Sequence, residues 1–174
     1  APPYNQARKG GRKNSGNSSA IYQHYYGIIR DLQPDFFTMY LKSNWYSGGR
    51  GEGLEEFRKA MVTDKHVAIF NDHPDPKRYI KSNVTLRGGL CTFMWAKEHN
   101  DDCLFYNHIN GESFVEERPL KTIVKDYKGE DVDIDILLRF NKGVSILRKV
   151  YKKTEKFLDV MARNPFSFES QHMT

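Results

Sequence analysis

The chain has 174 residues, 39% hydrophobic and 13% aromatic, with 27 Lys and Arg against 22 Asp and Glu for a formal net charge of +5. This is the composition of a folded domain with its own core, which excludes a disordered chain, and no apolar run reaches the length of a bilayer span. Two cysteines, Cys91 and Cys103, are too few for a disulfide framework and lack metal-ligand spacing. With no signal-peptide pattern, the expected compartment is the reducing cytoplasm, with no membrane partner.

After the opening Ala1-Pro2-Pro3-Tyr4, residues 5–19 carry Gly10, Gly11, Gly16 and several Ser and Asn, which predicts a loop. No Gly-Lys-Ser/Thr follows at the required gap, so it is not a P-loop. Ser18 or Ser19 is placed to cap a helix running to about Leu32, with Ile21, Tyr25, Ile28, Ile29 and Leu32 as its buried stripe. Pro34-Asp35 ends that helix. The nearly continuous apolar run Phe36–Leu41 predicts a strand buried on both faces, followed by a Gly-rich loop over 44–53 that holds Trp45 and Arg50. Leu54–Val62 reads as a short helix with Leu54, Phe57 and Met61 inward, and His66–Phe70 as a second buried strand. Strand, helix, strand in that order points to an α/β domain with a parallel sheet.

Beyond residue 78 the pattern is antiparallel. Segments Tyr79–Leu86 and Leu90–Ala96 flank Arg87-Gly88-Gly89, and Cys103–Ile109 leads through Asn110-Gly111, a strong hairpin signal, into Ser113–Glu117. From Ile134, the residues Ile136, Leu137, Phe140, Val144, Leu147, Val150, Phe157 and Val160 give an amphipathic helical region that Gly143 is expected to interrupt. Asn164-Pro165 closes it. The division expected is therefore 1–125 as an α/β unit and 126–174 as a helical segment.

Basic residues cluster at Arg8, Lys9, Arg12 and Lys13 and again at Arg148, Lys149, Lys152, Lys153 and Lys156; the first set suits phosphate contacts, with a solvated linker as the bland reading. Asp72-His73-Pro74-Asp75-Pro76-Lys77 has the wrong spacing for a nuclease site and reads as a turn. His66, His73, His99 and His108 sit on separate elements without zinc-ligand spacing. Trp95 ends an apolar strand and reads as core. Trp45 follows the carboxyl end of a strand, where α/β proteins place ligands, and is a candidate for lining a base or DNA cleft.

Four segments in this order carry a resemblance. Pro2-Pro3-Tyr4-Asn5 is similar to an Asn-Pro-Pro-Tyr loop, and Phe36 to Arg50 to a strand entering a Trp-Leu-Gly-Gly-like loop. Leu86 to Trp95 looks like a Gly-Gly-Val-Cys-Tyr-Phe strand. The fourth pairs Ile146 to Val150 with Arg163-Asn164-Pro165-Phe166. Together they resemble the gamma-type adenine-N6 DNA methyltransferases of restriction–modification systems. The resemblance implies the C-terminal half of a methyltransferase-type mixed α/β sheet with an antiparallel extension, then helices leading toward a target-recognition domain. It also implies S-adenosylmethionine as cofactor, double-stranded DNA as partner, and a restriction endonuclease domain or subunit as a further one.

In that family the amine of a flipped-out adenine gives its hydrogens to the loop's Asn side chain and to the carbonyl of the first proline, here Pro2. Pro2 and Pro3 fix the backbone so that the carbonyls point one way, and the aromatic Tyr4 stacks on the base. No metal is called for. Pro2, Pro3 and Tyr4 are the implied catalytic residues, and Asn5, Trp45, Arg8, Lys9, Arg12 and Lys13 the candidate substrate-binding set. Ala1 stands where the family has Asn and cannot accept the amine's hydrogen bond, so the chain as written is expected to be inactive, Ala1 being a tag remnant or boundary artefact. The glycine-rich cofactor loop is expected upstream; Gly48-Gly49-Arg50-Gly51-Glu52-Gly53 follows the wrong strand to replace it. The rival reading is a non-catalytic DNA-binding or specificity module, with Pro-Pro-Tyr a coincidental loop.

Overall fold

A computed structural model describes residues 5–7, 18–47, 53–78 and 88–152. Its centre is a five-stranded mixed sheet built from β3 (Phe36–Lys42), β4 (Val67–His73), β5 (Leu90–Ala96), β6 (Cys103–Ile109) and β7 (Glu112–Arg118), in the order β3-β5-β4-β6-β7. Strand β5 is antiparallel to both β3 and β4, β4 and β6 are parallel, and β6–β7 is a hairpin. The α/β class with an antiparallel extension therefore holds, and the sheet is compatible with a methyltransferase-like fold. Its parallel part is less continuous than the sequence implied, because β5 is inserted between β3 and β4. Asn110 (φ 52°) and Gly111 (φ 93°) make the tight turn of the β6–β7 hairpin, as their sequence signals.

One face of this sheet makes the core. Met39 and Leu41, Cys91, Phe93 and Trp95, Val67 and Phe70, and Cys103 and Phe105 are buried, alternating along their strands with less buried residues. Two helices cover that face, α1 (Tyr22–Asp31) and α2 (Leu54–Thr63). Tyr26 touches Phe37, Phe57 and Phe93 in tilted and edge-on ring contacts with centroids 5.3–6.2 Å apart. Helix α2 turns Leu54, Phe57 and Met61 inward, as its spacing predicts, and carries Glu55 and Glu56 in its first turn, where the helix dipole favours them. Among the described residues no helix is long and apolar enough to cross a membrane.

Several expectations are corrected. The predicted cap residues Ser18 and Ser19 lie in β2 (Ser18–Ala20), paired with β1 (Asn5–Ala7), so the ends of the expected loop are a short antiparallel ladder and α1 has no side-chain cap. The buried residues of α1 are Tyr22, Gln23 and Tyr26; Ile28 and Tyr25 are exposed and Leu32 is 74% exposed. The helix has turned because two tyrosines bury their rings among other aromatics while their hydroxyls reach Asn44 (2.8 Å) and Asp64 (2.6 Å). Strand β3 is the edge of the sheet, with Phe36 71% exposed, rather than buried on both faces. Asp72 and His73 belong to β4, not to a turn.

The region after 120 also differs. Residues Thr122–Lys125 and Asp131–Ile134 form a hairpin, β8–β9, whose cross-strand pairs include Lys125–Asp131 at 2.5 Å. The 125/126 division falls within it. Helix α3 begins only at Asn141, runs to Val150 and passes through Gly143 without interruption. The predicted strand Tyr79–Leu86 and the expectations at Phe157, Val160 and Asn164-Pro165-Phe166 lie outside the described residues.

Gly88 and Gly89 turn the chain into β5 at φ 89° and 88°. A Cβ on Gly89 would sit 2.5 Å from the His73 carbonyl oxygen and 3.0 Å from Pro74, whereas one on Gly88 would meet only Asn44 backbone at 3.9 Å. Gly89→Ala should therefore cost about 3 kcal/mol or more, against about 1–2 kcal/mol for Gly88→Ala. Urea unfolding of the two variants checks this; equal losses would contradict the close approach.

Candidate functional site

Strands β3, β4 and β6 run the same way, so their carboxyl ends, at Lys42, His73 and Ile109, lie on one edge of the sheet together with the Gly88-Gly89 turn. α/β proteins place ligands at this edge. The turn is held from two sides. Ser43 N–H donates to the Gly89 carbonyl at 3.1 Å, and Arg139 Nη2 donates to that of Gly88. Arg139 comes from an extended strap, residues 135–140, that crosses this edge before α3.

The centre of the edge is Asp72, fully buried. Its Oδ1 accepts from the Tyr46 hydroxyl at 2.9 Å, and its Oδ2 lies 3.0 Å from Arg139 Nε as an ion pair. The same guanidinium sits 5.0 Å over the Tyr46 ring. Burial, the larger effect, pushes the Asp72 carboxyl up to about 6; the charge of Arg139 and the Tyr46 hydroxyl pull it back. The strap is fixed by hydrogen bonds to its backbone. Leu137 N–H donates to the Tyr46 carbonyl at 2.8 Å, Asn107 Nδ2 donates to the Arg139 carbonyl at 2.6 Å, and Arg118 Nη2 to that of Leu138 at 2.7 Å. These bonds occupy backbone groups that a helix from Ile134 would need, which explains its late start.

On the less covered face, His73 and His108 stack with centroids 4.4 Å apart and rings 10° from parallel. His108 Nε2 lies 2.9 Å from Asn71 Oδ1 and its Nδ1 2.8 Å from Ser113 Oγ. Burial and the neighbouring ring lower His73 to about 4, and burial lowers His108, so the stack is neutral at pH 7. Burial raises both Cys91 and Cys103 to about 12, which leaves neither thiol a nucleophile at neutral pH. Among the described residues no group of three or more His, Cys, Asp or Glu gathers to hold a metal ion.

The residues singled out from the sequence fare unequally. Trp45 is fully buried, against Tyr46, Phe57 and Phe70, so it is a core ring and not the cleft-lining ring expected. Its burial follows from the short 3-10 turn Ser43–Trp45, which swings the indole back under the sheet. Asn5 lies in β1. Pro2, Pro3, Tyr4, Arg8, Lys9, Arg12 and Lys13 lie outside the described residues. Sequence reading placed Asp72 in a turn and did not single out Arg139, Asn107 or Arg118 as site residues. Asp72 closely follows the apolar run Val67–Phe70; nothing local marks Arg139 as its partner sixty-odd positions on.

The pKa values give a signed expectation. Asp72 is raised from 3.8 to about 6, so its contribution to stability is complete below pH 3.8 and lost as pH rises through about 6. His73 is lowered from 6.5 to about 4, so its contribution is present above 6.5 and lost as pH falls toward 4. The two oppose each other between. Asp72→Asn should remove the aspartate's slope, and its stability relative to the parent should rise between pH 4 and 7 by roughly 3 kcal/mol. Urea unfolding across that range measures it; a constant difference would contradict the buried carboxyl.

No family model matches the chain. It is similar to a curated Mycoplasma pneumoniae (strain ATCC 29342 / M129 / Subtype 1) protein described as "Uncharacterized adenine-specific methylase", at 28% identity over 150 residues. The alignment covers 84% of this chain and 30% of that relative, so the chain spans less than a third of the length of the curated protein it matches.

Proposed function

We propose that this chain is part of an S-adenosylmethionine-dependent DNA methyltransferase that methylates N6 of a flipped-out adenine, of the gamma type found in restriction–modification systems. The observation that carries the reading is the similarity, across most of the chain, to a protein described as an adenine-specific methylase. Two others support it: a mixed sheet of the compatible kind, and the order of Pro2-Pro3-Tyr4, Gly88-Gly89 and Asn164-Pro165-Phe166 along the sequence. In this reading the Pro2 carbonyl takes an amine hydrogen of the adenine and Tyr4 stacks on its ring. The basic residues Arg8, Lys9, Arg12 and Lys13 grip phosphates of double-stranded DNA beside the extruded base.

The cofactor's contribution is the methyl group. In this reading its site is built mainly by the rest of the protein. The carboxylate buried at the functional edge, Asp72, is committed to Tyr46 and Arg139 and is not open to a ribose. Cofactor binding, the target-recognition region and any endonuclease partner belong to the whole protein, and the chain alone is expected to be inactive.

Transfer of a labelled methyl group from S-adenosylmethionine to unmethylated DNA tests the proposal, with the full-length parent and its Tyr4→Ala variant. N6-methyladenine from the parent, reduced about 100-fold or more in the variant, is the expected result. A folded, DNA-bound parent that labels no base in a varied pool would favour a non-catalytic DNA-binding or specificity module instead.

A further inference from the structure

At the carboxyl end of β6 lies a cavity of about 370 Å³ lined by Asn107, Ile109, Phe114, Phe140, Asn141 and Lys142. Its volume is that of a small-ligand site. Phe114 and Phe140 are 45% and 47% exposed, two aromatic rings open to solvent at its walls. The two amides are already engaged. Asn107 donates to the Arg139 carbonyl and accepts from the Asn141 N–H, while the Asn141 side chain accepts from Arg118 Nε at 2.9 Å and donates to the Phe105 carbonyl at 3.4 Å. Among the described residues that line it, an occupant meets flat apolar surface and one cation, Lys142. None of these residues is a carboxylate, and the first turn of α3 beside it carries no acidic residue.

The complement of two rings and a lysine is a planar ring with a negative charge attached. We propose that the Phe114–Phe140 cleft seats one unstacked nucleotide of a DNA strand, its base against the phenyl rings and its phosphate at Lys142. The inference rests on the reading of DNA as the partner, and adds a contact to those proposed for Pro2, Pro3 and Tyr4. The cleft's proposed contact is with the face of the base, through the two rings. It holds any base by stacking, which is indifferent to sequence. It lies at the carboxyl end of β6, two places in the sheet from β5, the strand the Gly88-Gly89 turn leads into, on the edge where α/β proteins place ligands.

Fluorescence anisotropy of a short labelled single-stranded oligonucleotide, titrated with the full chain, tests this. Phe114→Ala and Phe140→Ala should each weaken binding roughly 5- to 100-fold, on mixed and homopolymeric strands alike. Lys142→Gln should flatten the dependence of log K on log salt by about 0.7; this exposed substitution leaves the fold intact and decides the matter should a phenylalanine variant unfold. Phenylalanine variants that melt and bind like the parent overturn the cleft while leaving DNA as the partner. So does an unchanged salt slope in Lys142→Gln. A parent chain that binds neither single- nor double-stranded DNA overturns the cleft and the DNA reading together.

Discussion

The described structure depends on one buried charge. Asp72 occupies a core position of a central strand, where an ionised carboxylate is expensive unless a counter-ion and hydrogen bonds are supplied. Arg139 and Tyr46 supply them, and supplying them dictates much else. Arg139 must be carried in from a distant part of the chain, so residues 135–140 run extended across the sheet edge, pinned by Asn107 and Arg118. The same guanidinium caps the Gly88 carbonyl, which fixes the entry of β5, the strand that parts β3 from β4. One ion pair thus ties together the ends of three strands, a glycine turn and the start of α3.

What was legible in the sequence was whatever is local and repetitive. The hairpin at Asn110-Gly111 is set by two residues that tolerate positive φ, and α2 by a stripe with no competitor. The β5 and β6 strands are set by mostly apolar runs, Leu90–Ala96 and Cys103–Tyr106. The face of α1 was misread because its tyrosines weigh more than its isoleucines: a ring with a hydroxyl partner buries more area than Ile28, and only the distant Asn44, Asp64 and Phe57 make that choice. The β8–β9 hairpin was signalled locally by the β-branched run Thr122-Ile123-Val124 and by Gly129, which takes φ 86° in the turn. It was masked by the helical spacing that follows.

The candidate site was less legible for a physical reason. Its residues are joined across long stretches of chain by charge and backbone bonds, not by spacing. Asp72-His73 reads as a turn because prolines follow; the structure keeps both in the strand and begins the turn at Pro74. Trp45 looked exposed because it borders a glycine-rich loop, yet that short turn returns the indole to the core. Strands, strap and Gly-Gly turn are tied together where they meet, by the Asp72–Arg139 pair and the bonds to Gly88 and Gly89.

The most direct test of this organisation is a double-mutant cycle between Asp72 and Arg139, using Asp72→Asn, Arg139→Met and the pair, read by urea unfolding at neutral pH. A single coupled unit predicts that each single variant loses stability and that the double variant loses less than their sum, with a coupling of roughly 1–3 kcal/mol. Additive losses would contradict the account: Arg139 would then be a surface arginine near the carboxylate, and the carboxyl edge would be held by something else.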